Sequence, residues 1–232
     1  VYEALRKAAG KAKIVRADDL IVEMRTIKSA NEIKCMREAF RISEVATEYV
    51  LNNLKPGMTE QQVVGLAQAS MYENGAEYEG HPTYVLSGKN STHAIGRPSN
   101  KVIKEGELIQ LNIGALVSGY SSSVGRPVCI GKMPPKMRDL VSFGLEMHYK
   151  TAEMMKAGVP AADVVIKFEE FVKARGYGDY LLYGPCHSIG LMEVERPWME
   201  SSSKYPLAEN MTFQVDTFLY TKGFSLRWED GV

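Results

Sequence analysis

Eight polar side chains of this 232-residue chain could do chemistry together if the fold brought them to one place: His93, Asn112, Ser123, His187, Glu193, Glu195, Asp216 and Glu229. They are scattered over strand-like segments, and carboxylates and histidines on neighbouring strands can converge to build acid–base or metal sites. The stretch LNIGALVSGYSSSVGRP, Leu111 to Pro127, reads as two strands joined by Ser118-Gly119-Tyr120, and it sets Asn112 and Ser123 eleven residues apart. An amide and a hydroxyl are neutral, weak ligands for hard or borderline cations. His93 lies between Thr92 and Ala94, ahead of a loop with Gly96 and Pro98. It is the candidate acid–base group, because an accessible imidazole titrates near neutrality. Asp216 interrupts the apolar run Phe213 to Phe218 and needs a partner, since an unpaired buried charge is costly. Arg126 and Arg227 could grip a substrate carboxylate in bidentate fashion or neutralise the carboxylates of a cleft. Glu193 and Glu195 share a face if their segment is extended. No HExxH, P-loop or GxSxG pattern is present. Cys186 and His187, as neighbours on a strand, point to opposite faces and do not make a nucleophile–base pair.

These residues need a scaffold, and the composition supplies one. The chain is 45% hydrophobic and 24% charged, which suits a globular domain with a real core. Lys+Arg and Asp+Glu both number 28, so no global field recruits nucleic acid or an anionic membrane. No apolar run is long enough to span a bilayer. The three cysteines, Cys35, Cys129 and Cys186, are widely spaced, which argues against a disulfide framework and for a reducing, cytoplasmic setting. Residues 1–27 read as a helix (Tyr2 to Lys13) and an extended piece (Leu20 to Ile27), the tail of a preceding domain; residues 28–232 read as the main domain, truncated at its C-terminal edge. Ser29-Ala-Asn-Glu32 and Thr59-Glu-Gln-Gln62 are capping boxes that each open a helix. A related pattern returns 101 residues on, where Gly57 and Gly75 are echoed by Gly158 and Gly176. Two helix–helix–strand units of this kind predict a pseudo-two-fold α/β (α+β) domain with a site between its halves.

Several motifs then make a resemblance specific. Arg25-Thr-Ile-Lys-Ser29 with Glu32-Ile33, Lys104-Glu-Gly-Glu-Leu108, Gly119-Tyr120 to Arg126, Cys186-His187-Ser-Ile-Gly-Leu191 through Glu195-Arg-Pro197, and Glu209 to Asp216 with Arg227-Trp-Glu229-Asp230 follow one another in order. Together they resemble the catalytic domain of the creatinase/prolidase/methionine aminopeptidase family. The resemblance implies the pita-bread fold, two pseudo-symmetric units around a curved, mainly antiparallel sheet. Metallopeptidases of that family bind two divalent ions with two Asp, one His and two Glu. The matching positions here are Asn112, Ser123, His187, Asp216 and Glu229, so two aspartates are missing and one glutamate is shortened to Asp216. The histidine expected seven residues after His187 is Val194. Metal-free creatinase is similar in having Asn at the first ligand position and a catalytic histidine in the segment matching Ser87 to His93. Its substrate-gripping glutamate, however, corresponds to Gly125.

The resemblance therefore implies a metal-independent hydrolase or lyase acting at a C–N bond of a small polar or peptide substrate, with no cofactor. His93, His187, Asp216 and Glu229 would be catalytic, and Asn112, Ser123, Glu195, Arg126 and Arg227 would bind substrate. A homodimer without nucleic-acid or membrane partners is expected. Two alternatives stay open: an inactive binding module, and a single metal ion on His187, Asp216 and Glu229.

Overall fold

The computed structural model describes residues 1–232. In chain order the elements are α1 (Tyr2–Ala9), α2 (Asp18–Thr26), α3 (Ala30–Asn53), α4 (Glu60–Glu73), β1 (Tyr78–Glu79), β2 (Tyr84–Ser87), β3 (Leu108–Ile113), β4 (Ala115–Val117), β5 (Tyr120–Ser121) and β6 (Val124–Cys129). They continue with α5 (Pro135–Met154), α6 (Ala161–Ala174), β7 (Cys186–Ser188), β8 (Phe213–Tyr220) and β9 (Ser225–Gly231). Both capping boxes form: Ser29 and Glu32 close the start of α3, and Thr59 and Gln62 that of α4. The segment read as extended from Leu20 to Ile27 is instead the helix α2. Asp18 and Asp19 in its first turn and Arg25 in its last suit the helix dipole, and no strand lies beside it to pair with. No helix is long and apolar enough to cross a membrane.

The internal repeat is visible in the helix boundaries. The end of α3 at Asn53 and both ends of α4 recur 101 residues later as the end of α5 and both ends of α6. The linking glycines Gly57 and Gly158 share φ = 88°, and the helix-ending Gly75 and Gly176 also lie at positive φ, a conformation glycine reaches without steric cost. The strands form one six-stranded antiparallel sheet in the order β2-β3-β6-β9-β8-β7, three strands from each unit, and a small sheet β1-β4-β5. Strand alternation then divides the residues. Ile109, Leu111 and Ile113 of β3 pack on Ile42, Val50, Val63 and Met71 of α3 and α4. Leu219 and Leu226 pack on Leu140, Phe143 and Met147 of α5. The opposite face of the sheet carries the polar residues.

Two packing details hold this frame. At Gly114 the chain leaves β3 for β4, and an added Cβ would sit 2.2 Å from the Ser122 carbonyl oxygen and 2.6 Å from the His81 ring. On the helix-facing side, Arg126 donates to both oxygens of Asp230 (3.1 and 2.7 Å), lies 5.9 Å from the Trp228 ring centre, and is joined there by His148 Nε2 at 3.2 Å. Arg126 thus ties β6 to β9 and α5, and its expected place as a substrate ligand is corrected: its neighbours on the strands, not Arg126 itself, face the cleft.

Two outcomes are expected. Gly114→Ala should destabilise the fold by about 1–3 kcal/mol, the range for forcing an extra carbon into a packed core; a urea midpoint equal to the wild type would refute the close packing. Burial pushes Asp230 up, but His148 and Arg126 outweigh it and hold its carboxyl below the ordinary value. A depressed carboxylate stabilises the fold above its unfolded-state pKa, and that contribution disappears as pH falls through the folded-state pKa. Asp230→Asn should therefore weaken the protein at neutral pH and flatten the acid limb of its stability curve, measured by chemical unfolding across that range. An unchanged acid limb would show that Asp230 is not held down in this way.

Candidate metal centre

The sheet brings one row of residues into line across five strands. Tyr84 on β2 is paired with Asn112 on β3, Asn112 with Gly125 on β6, Gly125 with Glu229 on β9, and Glu229 with Asp216 on β8. The two-residue period of strands puts these side chains on one face, with Arg227 beside Glu229. His187 enters from the last strand, β7, where it pairs with Gln214. Gly125 keeps the row open, because a Cβ there would meet the Glu229 side chain at 2.7 Å and that of Arg227 at 3.0 Å.

His187, Asp216 and Glu229 offer ligand atoms that all lie within 4.8 Å of one another. Each group has one atom engaged and one turned inward. His187 Nδ1 donates to the Ser188 carbonyl (3.2 Å), leaving Nε2 facing Glu229 Oε1 at 3.6 Å. Asp216 Oδ2 accepts from the Tyr183 hydroxyl (2.7 Å), and Glu229 Oε2 accepts from the Asn112 amide (2.7 Å). Asp216 Oδ1 and Glu229 Oε1 are buried and receive no hydrogen bond. Arg227 Nε approaches Asp216 Oδ1 to 3.0 Å and Glu229 Oε2 to 3.8 Å, without the alignment of a hydrogen bond. The guanidinium also lies 5.8 Å from the Tyr84 ring centre and 5.4 Å from that of Phe218.

This donor set fits one borderline divalent ion: an imidazole oriented through its other nitrogen and two carboxylate oxygens that accept no hydrogen bond, one of them flanked by Arg227. It does not fit two. The two positions that would complete a dinuclear site are spent internally, as Ser123 Oγ lies 2.9 Å from Asn112 Oδ1 and 3.0 Å from His81 Nε2.

The electrostatics follow from burial and crowding. Burial pulls His187 down, yet Glu229, Glu193 and Asp216 outweigh it and push its pKa up to about 9. Burial pushes Glu229 up, but His187 and Arg227 prevail and hold it at about 2. Glu193, whose Oε1 is 3.5 Å from His187 Nε2, is raised to about 7 by burial and by the Glu229 charge. Asp216 is raised, chiefly by burial, despite Arg227.

Beside these groups opens a cavity of about 300 Å³, lined among others by Tyr84, Ile95, Tyr183, Val194, Trp198 and Met199. His187, Glu193, Asp216 and Arg227 also reach it. Three expectations need correction. His93 does not line this cavity; it borders a separate depression with Leu86, Asn90 and Arg97, and Ile95, two residues on, is the side chain that reaches both. Glu195 is buried in ion pairs with Lys28 (3.1 Å) and Arg25, where it anchors the loop after β7 rather than a substrate. Asn112 and Ser123 are fully enclosed and hold Glu229 and His81, not a ligand. Tyr183 and His81 belong to the site although residue spacing does not single them out. His81 sits in Gly80-His81-Pro82 and Tyr183 in Tyr183-Gly184-Pro185, segments without periodicity.

The family model described as metallopeptidase family M24 matches residues 34–232. The Xaa-Pro dipeptidase of Pyrococcus furiosus is 29% identical over 233 residues, covering 100% of this chain and 67% of the relative. The Xaa-Pro dipeptidase of Pyrococcus horikoshii is 29% identical over 218 residues, covering 94% and 62%. Among solved structures, the X-Pro aminopeptidase of Thermotoga maritima superposes with a TM-score of 0.95 at 31% identity, covering 100% of this chain and 65% of that one. The prolidase of Pyrococcus furiosus superposes with a TM-score of 0.94 at 28% identity, covering 100% and 70%. The chain thus spans about two thirds of the length of these relatives. The pita-bread architecture expected from the sequence is the one these neighbours share. The expectation of a metal-independent hydrolase without cofactor is overturned, because the matching family is one of metallopeptidases and the His187, Asp216 and Glu229 cluster retains ion-binding geometry. With its family model matched from Lys34 to the last residue and its fold shared throughout, this chain belongs to metallopeptidase family M24.

Proposed function

We propose that this domain is the catalytic part of a peptidase acting on short peptides of the Xaa-Pro type with a single divalent ion. The observation that carries this reading is the set of inward-facing atoms: His187 Nε2, and Asp216 Oδ1 and Glu229 Oε1, which receive no hydrogen bond. A bound ion would polarise the scissile carbonyl and lower the pKa of water. The chain's own residues do the rest. Tyr84, Ile95, Val194 and Trp198 give the cavity an apolar wall suited to a compact side chain or ring. Glu193, held near neutrality beside His187, can take or return a proton at its Oε1. Arg227 helps hold the Glu229 carboxyl low and opposes the rise that burial imposes on Asp216. The Xaa-Pro preference rests on the names of the relatives.

A second reading has its own support. Arg227 beside Asp216 and the Asn112 amide on Glu229 give both buried carboxylates internal partners, so the cleft holds together as a peptide-binding surface without catalysis.

The two are separated by titrating the protein with Mn²⁺, Zn²⁺ or Co²⁺ and assaying the full-length chain on Xaa-Pro dipeptides. One ion per chain is expected, with His187→Ala abolishing both uptake and hydrolysis. Two ions per chain, or none, would sink the single-ion reading; one ion without turnover on any dipeptide would favour the binding module.

A further inference from the structure

Tyr183 precedes β7 in a segment with no regular structure, yet its hydroxyl sits at the busiest point of the site. Its ring stacks on Phe218 (centroids 5.5 Å apart, planes 13° apart) and borders the cavity. Its hydroxyl donates to Asp216 Oδ2 at 2.7 Å and accepts from Arg227 Nη2 at 2.6 Å. The order of protons is fixed, because a guanidinium only donates and a carboxylate only accepts. The other Nη2 hydrogen goes to the Ala94 carbonyl at 3.1 Å. The phenol oxygen therefore stands between Arg227 and Asp216 as a spacer.

Without that spacer the two charged groups have a better option. Arginine and a carboxylate prefer a bidentate pair with both oxygens engaged, and Arg227 Nε is already 3.0 Å from Asp216 Oδ1. A rotation of the carboxylate would bring it into line and withdraw Oδ1 from His187 and Glu229. We infer that Tyr183 is a positioning residue of the candidate metal centre: its hydroxyl, interposed between Arg227 Nη2 and Asp216 Oδ2, stops Arg227 from clamping both carboxylate oxygens and so leaves Oδ1, approached only by the misaligned Nε, available as a ligand. This rests on the single-ion reading above.

The test compares Mn²⁺ binding by calorimetry in the wild type and in Tyr183→Phe, which keeps the ring and its stacking on Phe218. Loss of an orienting partner around a metal ligand typically costs about 10–100-fold in affinity, and a loss of that size is expected while the melting temperature of the ion-free protein stays near the wild-type value. A crystal structure of the variant should show both Asp216 oxygens on Arg227. Unchanged affinity, or an Asp216 that keeps its orientation, would overturn the inference and leave the single-ion reading standing. A variant that fails to fold would make the hydroxyl a structural element and equally overturn it. If the wild type takes up no ion, the single-ion reading falls and this inference with it.

Discussion

The buried guanidinium of Arg227 is the constraint around which the sheet face is organised. Only 5% of the Arg227 residue is exposed, and Asp216 (4%) and Glu229 (0%) are as deeply enclosed. Two carboxylates at neighbouring register positions would repel and neutralise themselves by protonation if nothing opposed them. Arg227, on the same strand face as Glu229, supplies the opposing charge, and the aromatic faces of Tyr84 and Phe218 flank it. The absence of a side chain at Gly125 is what lets it lie there. Breaking one partner of such a group strands the others, which is why buried ion pairs are costly to disrupt even when their net contribution is small.

The remaining asymmetry of the site follows from where that charge sits. On the β8–β9–β7 side, Asp216, Glu229 and His187 are gathered within ligand distance of one another, with Arg227 and Tyr183 around them. On the β3–β6 side, an amide, a hydroxyl and the buried imidazole of His81 occupy the same depth, and burial is what lowers the pKa of that histidine. No carboxylate from β3 or β6 stands there. One half of the cleft is therefore electrostatically equipped for an ion, and the other is closed by its own hydrogen bonds.

The doubling of the fold explains why residues so far apart in sequence meet. Each unit contributes three strands, and the two sets join at the single β6–β9 pairing, Gly125 with Glu229. The site sits on that seam. A row running from Tyr84 to Asp216 exists only because both units enter it in matching register, and a slip of one residue in either would turn every second side chain to the helices.

Much of this is legible in the order of the residues alone. The capping boxes, the helix-ending glycines and the 101-residue echo specify four helices and the pseudo-symmetry, because caps and positive-φ turns are local, short-range physics. The weakness of Asn112 and Ser123 as metal ligands is legible for the same reason: ligand strength belongs to the residue type. Direction and company are another matter. His93 and Ile95 are two residues apart, and only the path of the loop determines that Ile95 reaches the cavity. Glu195 and Arg126 match motif positions, yet strand facing and the nearness of Lys28 and Asp230 turn them to structural work. Tyr183 carries no periodic signal at all, and its hydroxyl becomes significant only where it meets Arg227 and Asp216, from strands more than thirty residues further along the chain. Residue chemistry is written in the sequence; which oxygen is left without a hydrogen bond is decided by long-range packing, since it depends on which donors the fold places beside each lone pair.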